Sequence, residues 1–289
     1  MPGLPTGGEV RLKDREKIME AWAWDEKLTL EFTGTRPCVR SLAIAPAPSV
    51  PTVFLLGDST VCDQPREPFA SWGQMLPRFF KPGVAVANHA ESGESLRSSR
   101  GAGRLDKVLS AMKPGDWLLI QYGHNDMKER GEGVGAFTTY KADLKRLVAA
   151  ARQRGGLPVL VTSMHRRTFG GDGKLRNSLN DYPAAVRQAA QEENVPLVDL
   201  HELSARLYEA LGPEKSGVLF KSGDGTHHNN FGAYELAKCI ITGIRTSVPA
   251  LAKLVATDVP AFDPAKPDEV GMFAVPASAP STNTKPDGN

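Results

Sequence analysis

Val53-Phe54-Leu55-Leu56-Gly57-Asp58-Ser59-Thr60 is the stretch that decides the fold: an unbroken apolar run, then a glycine and three polar residues. A short apolar run closed by a turn signal reads as a buried strand ending in a loop. The unit recurs. Val84 to Asn88, Trp117 to Gln121, Pro158 to Thr162 and Pro196 to Val198 are further short apolar strands. Amphipathic stretches lie between and after them. Tyr140, Leu144, Leu147, Val148 and Ala151 share one stripe of an expected helix near Tyr140 to Arg154, and Tyr234, Ala237, Ile241, Ile244 and Val248 share one stripe of the last. Both stripes are core. Strand and helix in alternation predict an α/β fold whose parallel central sheet carries helices on both faces.

Outward from this unit the pattern thins. Residues 1 to 20 are polar, with Gly and Pro at the start, and read as a linker. Lys27 to Thr33 alternate at period two and Val39 to Ile44 follow a turn region, so a short N-terminal β segment is expected, packed on the main domain or left from a larger β module. Ala45 to Pro51, with three prolines, is a boundary. Thr257 to Asn289 holds six prolines and no periodicity, and reads as a flexible or loosely draped tail. The expected organisation is therefore 1–50, 51–256 and 257–289.

The 289 residues are 40% hydrophobic and 24% charged, enough for one sizeable domain with appendages. With 35 basic and 33 acidic residues the formal charge is +2, which suggests neither a nucleic-acid nor a membrane-surface partner. No run approaches a membrane span, and the charged first 25 residues hold no apolar stretch of a secretion signal. Cys38, Cys62 and Cys239 lie far apart and give no disulfide framework or zinc spacing.

Ligands of such sheets gather beyond the carboxyl ends of the strands, where the chemistry should lie. Ser59 follows the first strand beside a glycine that lets the backbone turn, so its hydroxyl can face a crevice. Gly93 follows the second strand and offers a backbone N–H, and Asn125 follows the third with two side-chain donors for a developing oxyanion. Asp224 precedes His227 by three positions in the loop before the last helix, where its carboxylate can accept Nδ1–H and leave Nε2 as base. Each feature alone is also an ordinary turn or helix cap. Their joint occurrence at one sheet edge favours a serine hydrolase. The neighbouring His227 and His228 lack a metal motif, so no metal and no cofactor are expected.

These residues carry a resemblance. Gly57-Asp58-Ser59, Gly93, Asn125 within Gly-x-Asn-Asp, and Asp224-x-x-His227 resemble the four blocks of SGNH (GDSL-type) hydrolases over Val53 to Val248, and the wording of the blocks looks like the rhamnogalacturonan acetylesterase branch. His124 stands where that branch commonly has Gln. The resemblance implies a flavodoxin-like three-layer α/β/α sandwich, a triad of Ser59, Asp224 and His227, an oxyanion hole from the Ser59 and Gly93 N–H groups with Asn125, and Asp58 beside the site but not a base. It implies deacetylation of a plant cell-wall polysaccharide such as rhamnogalacturonan or xylan, with a broader lipase or thioesterase and a non-catalytic carbohydrate-binding relative as alternatives. Relatives are usually exported. Trp72, Tyr122, Arg166 and Arg167 are candidates for lining a sugar groove, or else core and surface residues. The expected partners are an acetylated polysaccharide or small ester and, for assembly, a homo-oligomer.

Overall fold

The computed structural model describes residues 3–4, 7–19, 24, 26–30, 32, 36 and 38–275. Five strands, β1 (Thr52–Gly57), β2 (Ala85–Asn88), β3 (Trp117–Gln121), β4 (Leu157–Val161) and β5 (Leu197–Val198), pair in parallel in the order β2-β1-β3-β4-β5. Each lies within a residue or so of its expected place. β1 is buried along its whole length, and alternate side chains serve opposite halves of the core. Val53 and Leu55 join Trp72, Leu207 and Ile240, whereas Phe54 and Leu56 join Val108, Leu118 and Leu147. Truncating Leu55 or Leu119, both fully buried, to alanine is expected to cost about 2–5 kcal/mol.

Ahead of the sheet lies the short helix α1 (Asp14–Met19). One face of the sheet is covered by α2 (Trp72–Met75), by α7 (Leu200–Lys215, broken at Gly212–Pro213) and by α8 (Asn230–Ser247). The other is covered by α3 (Leu96–Gly101), α4 (Arg104–Ala111), α5 (Lys141–Gln153) and α6 (Tyr182–Glu192). Both expected stripes are core, as Leu144, Leu147, Val148, Ile241 and Ile244 are buried. The result is a three-layer sandwich. The strand order places β2 and β3 on opposite sides of β1, so the crossovers run in opposite directions and a crevice opens at the carboxyl ends of β1 and β3.

Three peripheral stretches differ from the sequence reading. Residues 9–17, expected as linker, are docked: Val10 and Glu16 are buried, and Glu16 pairs with the equally buried Arg104 at 2.5 Å. Lys13 Nζ donates to Ser92 O at 2.5 Å, and Arg15 Nε meets Glu91 Oε1 at 2.5 Å. A run of alternating charges reads as solvated until its partners, far along the chain, are known. Where a β segment is expected, no strand occurs among the described residues of 26–50; residues 31, 33–35 and 37 of it fall outside the described residues. Leu28, Leu30, Phe32, Val39, Leu42 and Ile44 are all exposed, so alternation found neither a pairing strand nor a core to bury into.

Residues 257–275 lie against α8. Arg245 donates to Val259 O and Pro260 O, both at 2.6 Å, and Lys238 bridges Glu235 at 2.5 Å and Asp268 at 2.6 Å. Irregular backbone held by single cations leaves no periodic trace in the sequence. The rest of the expected tail, 276–289, falls outside the described residues. Cys38, Cys62 and Cys239 are free thiols. Among the described residues no helix is long and apolar enough to cross a membrane, and no group of three or more His, Cys, Asp or Glu is placed to hold a metal ion.

Candidate active site

Ser59 stands on a tight turn that begins where β1 ends. Val61 N–H and Cys62 N–H both donate to Asp58 O at 3.0 Å, and Thr60 donates to Asp58 Oδ1 through its N–H at 2.9 Å and its hydroxyl at 2.7 Å. Gly57 is required there because a Cβ on it would lie 2.8 Å from Gln121 O and 2.5 Å from Val61. The turn is also tied from below. Gln121 Nε2 donates to Thr60 Oγ1, and Trp72 Nε1 donates to Gln121 Oε1, each at 2.7 Å and all buried. Asp58 is fully buried, and burial raises its carboxyl although Thr60's two hydrogen bonds pull it down.

The histidine arrives on the loop ahead of α8. Lys221 N–H donates to His227 O at 3.0 Å, and Ala70 N–H to His228 O at 2.9 Å, pinning the loop on both sides. The buried His228 ring meets Tyr208 OH at 2.7 Å, and Asn229 caps α8 by accepting Gly232 N–H at 3.0 Å. So held, His227 Nε2 lies 3.0 Å from Ser59 Oγ, and its Nδ1 lies 2.8 Å from Asp224 Oδ2. Asp224 Oδ1 accepts the N–H groups of Thr226 at 2.7 Å and His227 at 3.1 Å. Burial pushes the Asp224 carboxyl up, but these bonds and the imidazole outweigh it and hold the group below its usual range. It therefore stays ionised at neutral pH.

The expected oxyanion donors line the same cleft. Gly93 takes φ +74, a conformation costly to any side chain, on the loop before α3. The Asn125 amide is fixed at both ends, since Nδ2 donates to Glu94 O at 3.0 Å while Oδ1 accepts Lys128 Nζ at 2.9 Å. Its second N–H remains for a ligand. Together the arrangement offers a hydroxyl beside a base, a carboxylate behind that base, and donors across the cleft, as nucleophilic attack on an ester carbonyl requires.

The candidate groove residues are elsewhere. Trp72 and Tyr122 are fully buried and line no groove; Tyr122 OH lies 2.6 Å from Ser99 Oγ, and its carbonyl accepts Tyr140 OH at 2.6 Å and Ser163 Oγ at 2.7 Å. Arg166 braces the backbone ahead of Asn125 by donating to His124 O at 3.2 Å. Arg167 N–H holds Gly225 O at 2.7 Å, beside Asp224. Trp72 and Tyr122 are framework, whereas the half-buried Arg166 supports the Asn125 loop and Arg167 lines a separate cavity of about 810 Å³ beside Asp224.

The cleft, about 490 Å³, is instead lined beside Ser59, Gly93, Asn125 and His227 by Arg15, Gln64, Pro65, Arg66, Phe69 and Lys128. Phe69 meets the His227 ring edge-on at 5.8 Å, and Gln64 Nε2 donates to Ser59 O at 2.7 Å. Three of the lining residues are cations and none is an acid, although Arg15 shares its charge with Glu91. Sequence reasoning missed these residues. Arg66 is a single cation in a loop, Lys128 ends a three-residue 3-10 turn and Arg15 precedes the sheet altogether, so nothing local marked them.

Comparison with known proteins agrees with the geometry. The profile of the GDSL-like lipase/acylhydrolase family matches residues 55–233. The chain is 42% identical over 207 residues to rhamnogalacturonan acetylesterase RhgT of Bacillus subtilis, covering 66% of this chain and 88% of that one. It is 37% identical over 202 residues to the probable rhamnogalacturonan acetylesterase YesY of the same organism, covering 67% and 92%. Among solved structures it is similar to the Bacillus subtilis protein YxiM, with a TM-score of 0.63 at 31% identity over 68% of this chain and 57% of that one.

Proposed function

The chain belongs to the GDSL-like lipase/acylhydrolase family, and from that membership we propose that Ser59, His227 and Asp224 are the catalytic residues of an esterase that deacetylates a plant cell-wall polysaccharide. The observation that carries this reading is the line Ser59 Oγ, His227 Nε2, His227 Nδ1, Asp224 Oδ2, with spacings of 3.0 and 2.8 Å, in one cleft with Gly93 and Asn125.

The mechanism follows from the atoms. Ser59 Oγ attacks the acetyl carbonyl while His227 Nε2 takes the hydroxyl proton, and ionised Asp224 holds Nδ1–H and stabilises the imidazolium without taking its proton. Electrons displaced from the carbonyl collect on its oxygen, which meets the N–H groups of Ser59 and Gly93 and the Asn125 amide. Collapse expels the sugar alkoxide, which His227 protonates, and leaves acetyl-Ser59. Water then attacks the acyl carbon as His227 takes its proton, and collapse returns the Ser59 hydroxyl and acetate.

The substrate is read from the cleft and the relatives together. Two similar proteins are named for rhamnogalacturonan, a galacturonate-containing glycan, and the cationic lining from Arg15, Arg66 and Lys128 complements such a chain better than a neutral xylan. Acetate release from acetylated rhamnogalacturonan and acetylated xylan, each titrated with salt, tests this. Faster release from the acidic polymer, weakened by salt, is expected. Equal or faster release from xylan would remove the acidic-substrate reading.

A further inference from the structure

Next to the catalytic cleft lies a second cavity of about 420 Å³, on the β2 side, lined among others by Trp24, Gln64, Pro65, Asn88, His89 and Arg104. Gln64 and Pro65 line both spaces, so the two adjoin at that pair. The pair is anchored to the nucleophile, because Gln64 donates its side-chain N–H to Ser59 O at 2.7 Å.

The lining favours an uncharged, hydroxyl-rich ring. Trp24 supplies a half-buried indole, the kind of surface against which the C–H face of a sugar packs. Gln64 brings a neutral amide, whereas the Asn88 amide shapes the wall, donating to Val61 O and Asp63 Oδ1 and accepting Ala90 N–H. Burial, with Arg104 and Lys107 nearby, pushes the His89 imidazole down to about 4, so at pH 7 the ring is neutral and offers one donor and one acceptor. The deeply buried charges of the lining are paired, Arg104 with Glu16 at 2.5 Å and Glu91 with Arg15 at 2.5 Å, so none of the three demands an ionic ligand. Arg104 Nε, buried and without a hydrogen-bond partner among the described residues, lies 4.0 Å from Glu94 Oε1, so Arg104 belongs to the floor of the cavity and not to its ligand-facing surface.

Trp24 and Glu16 both lie ahead of residue 55, where the family match begins, and Glu16 belongs to the docked residues 9–17. We propose that Glu16 and Trp24, with Gln64, Pro65, Asn88 and His89, form a second subsite that binds a neutral sugar residue adjoining the acetylated one held at Ser59. The subsite rests on the esterase reading for its orientation, while its binding is measurable apart from turnover.

The test is a calorimetric titration of the Ser59→Ala protein with rhamnogalacturonan oligosaccharides of increasing length. Affinity rises with the first added residues and then levels off, and Trp24→Ala in the same background removes about tenfold of that gain. Trp24→Phe restores part of it, which separates the ring from the fold. Affinity independent of length, or an unaltered length dependence in Trp24→Ala, overturns the subsite. Should the parent chain release nothing from p-nitrophenyl acetate, the esterase reading fails instead, and the titration still decides the subsite.

Discussion

The Trp72 indole N–H donates to Gln121 Oε1 at 2.7 Å, and Gln121 passes the connection on to Thr60 and so to Asp58, directly beneath Ser59. A residue that looked like a candidate for sugar stacking is thus the buried end of a chain that holds the nucleophile turn. Buried polar groups in series are costly to break, because removing one leaves its neighbour unpaired in a place water does not reach.

Trp72→Phe keeps most of the volume and removes the donor. Loss of stability by about 1–3 kcal/mol is expected from the orphaned Gln121 oxygen, together with slower turnover as the Thr60 turn loosens. Chemical denaturation and steady-state rates measured side by side check both. Parent-like stability would show that the connection carries nothing.

Asn125→Ala removes an oxyanion donor already fixed by Lys128 and Glu94. Turnover should fall about 10²- to 10³-fold, equivalent to roughly 3–4 kcal/mol, with little change in KM for a small ester. A variant with full turnover would assign the oxyanion to other donors.

Much of this was legible in advance. The five apolar runs gave strands, the 3.6-residue stripes on α5 and α8 gave the covering layers, and Ser59, Gly93, Asn125, Asp224 and His227 announced themselves by falling just beyond strand or before helix ends. These signals are local, or repeat at fixed period. What stayed hidden is carried by single long-range pairings: Glu16 with Arg104, Arg15 with Glu91, Arg245 with the backbone of Val259 and Pro260. The expected β segment makes the complementary point. Leu28, Leu30 and Phe32 alternate as a strand does, yet a strand also needs a neighbour, and none is supplied among the described residues.

Arg66→Gln tests the electrostatic part of substrate choice, as this exposed cation lines the cleft. KM for acetylated rhamnogalacturonan should rise severalfold and the salt dependence of that KM should flatten, whereas KM for acetylated xylan moves little. Equal shifts on both polymers would make the role steric.

Asp126 gives a stability signature. It is buried with Oδ1 accepting Leu96 N–H at 2.8 Å and Oδ2 unpartnered among the described residues, and burial, reinforced by Asp58, pushes its carboxyl from 3.8 up to about 7. Below pH 3.8 folded and unfolded chains both hold the proton and the group costs nothing. As pH rises the unfolded chain releases it first, so the cost accumulates from about pH 4 and is complete above about 7. Asp126→Asn abolishes this titration and should gain on the parent steadily across that window, by up to a few kcal/mol. Denaturation across the range reads the difference directly. An offset that does not vary with pH would place the titration elsewhere.

The central claim is that the Ser59 hydroxyl, activated by His227, is the attacking group. The most direct measurement is mass spectrometry of the intact and digested protein after treatment with a fluorophosphonate, which phosphonylates an activated serine oxygen with loss of fluoride. The account predicts one adduct, on the peptide containing Ser59, formed in step with loss of acetate release and absent from Ser59→Ala and greatly slowed in His227→Ala. An adduct on a different residue, or acetate release that persists in Ser59→Ala, would contradict it.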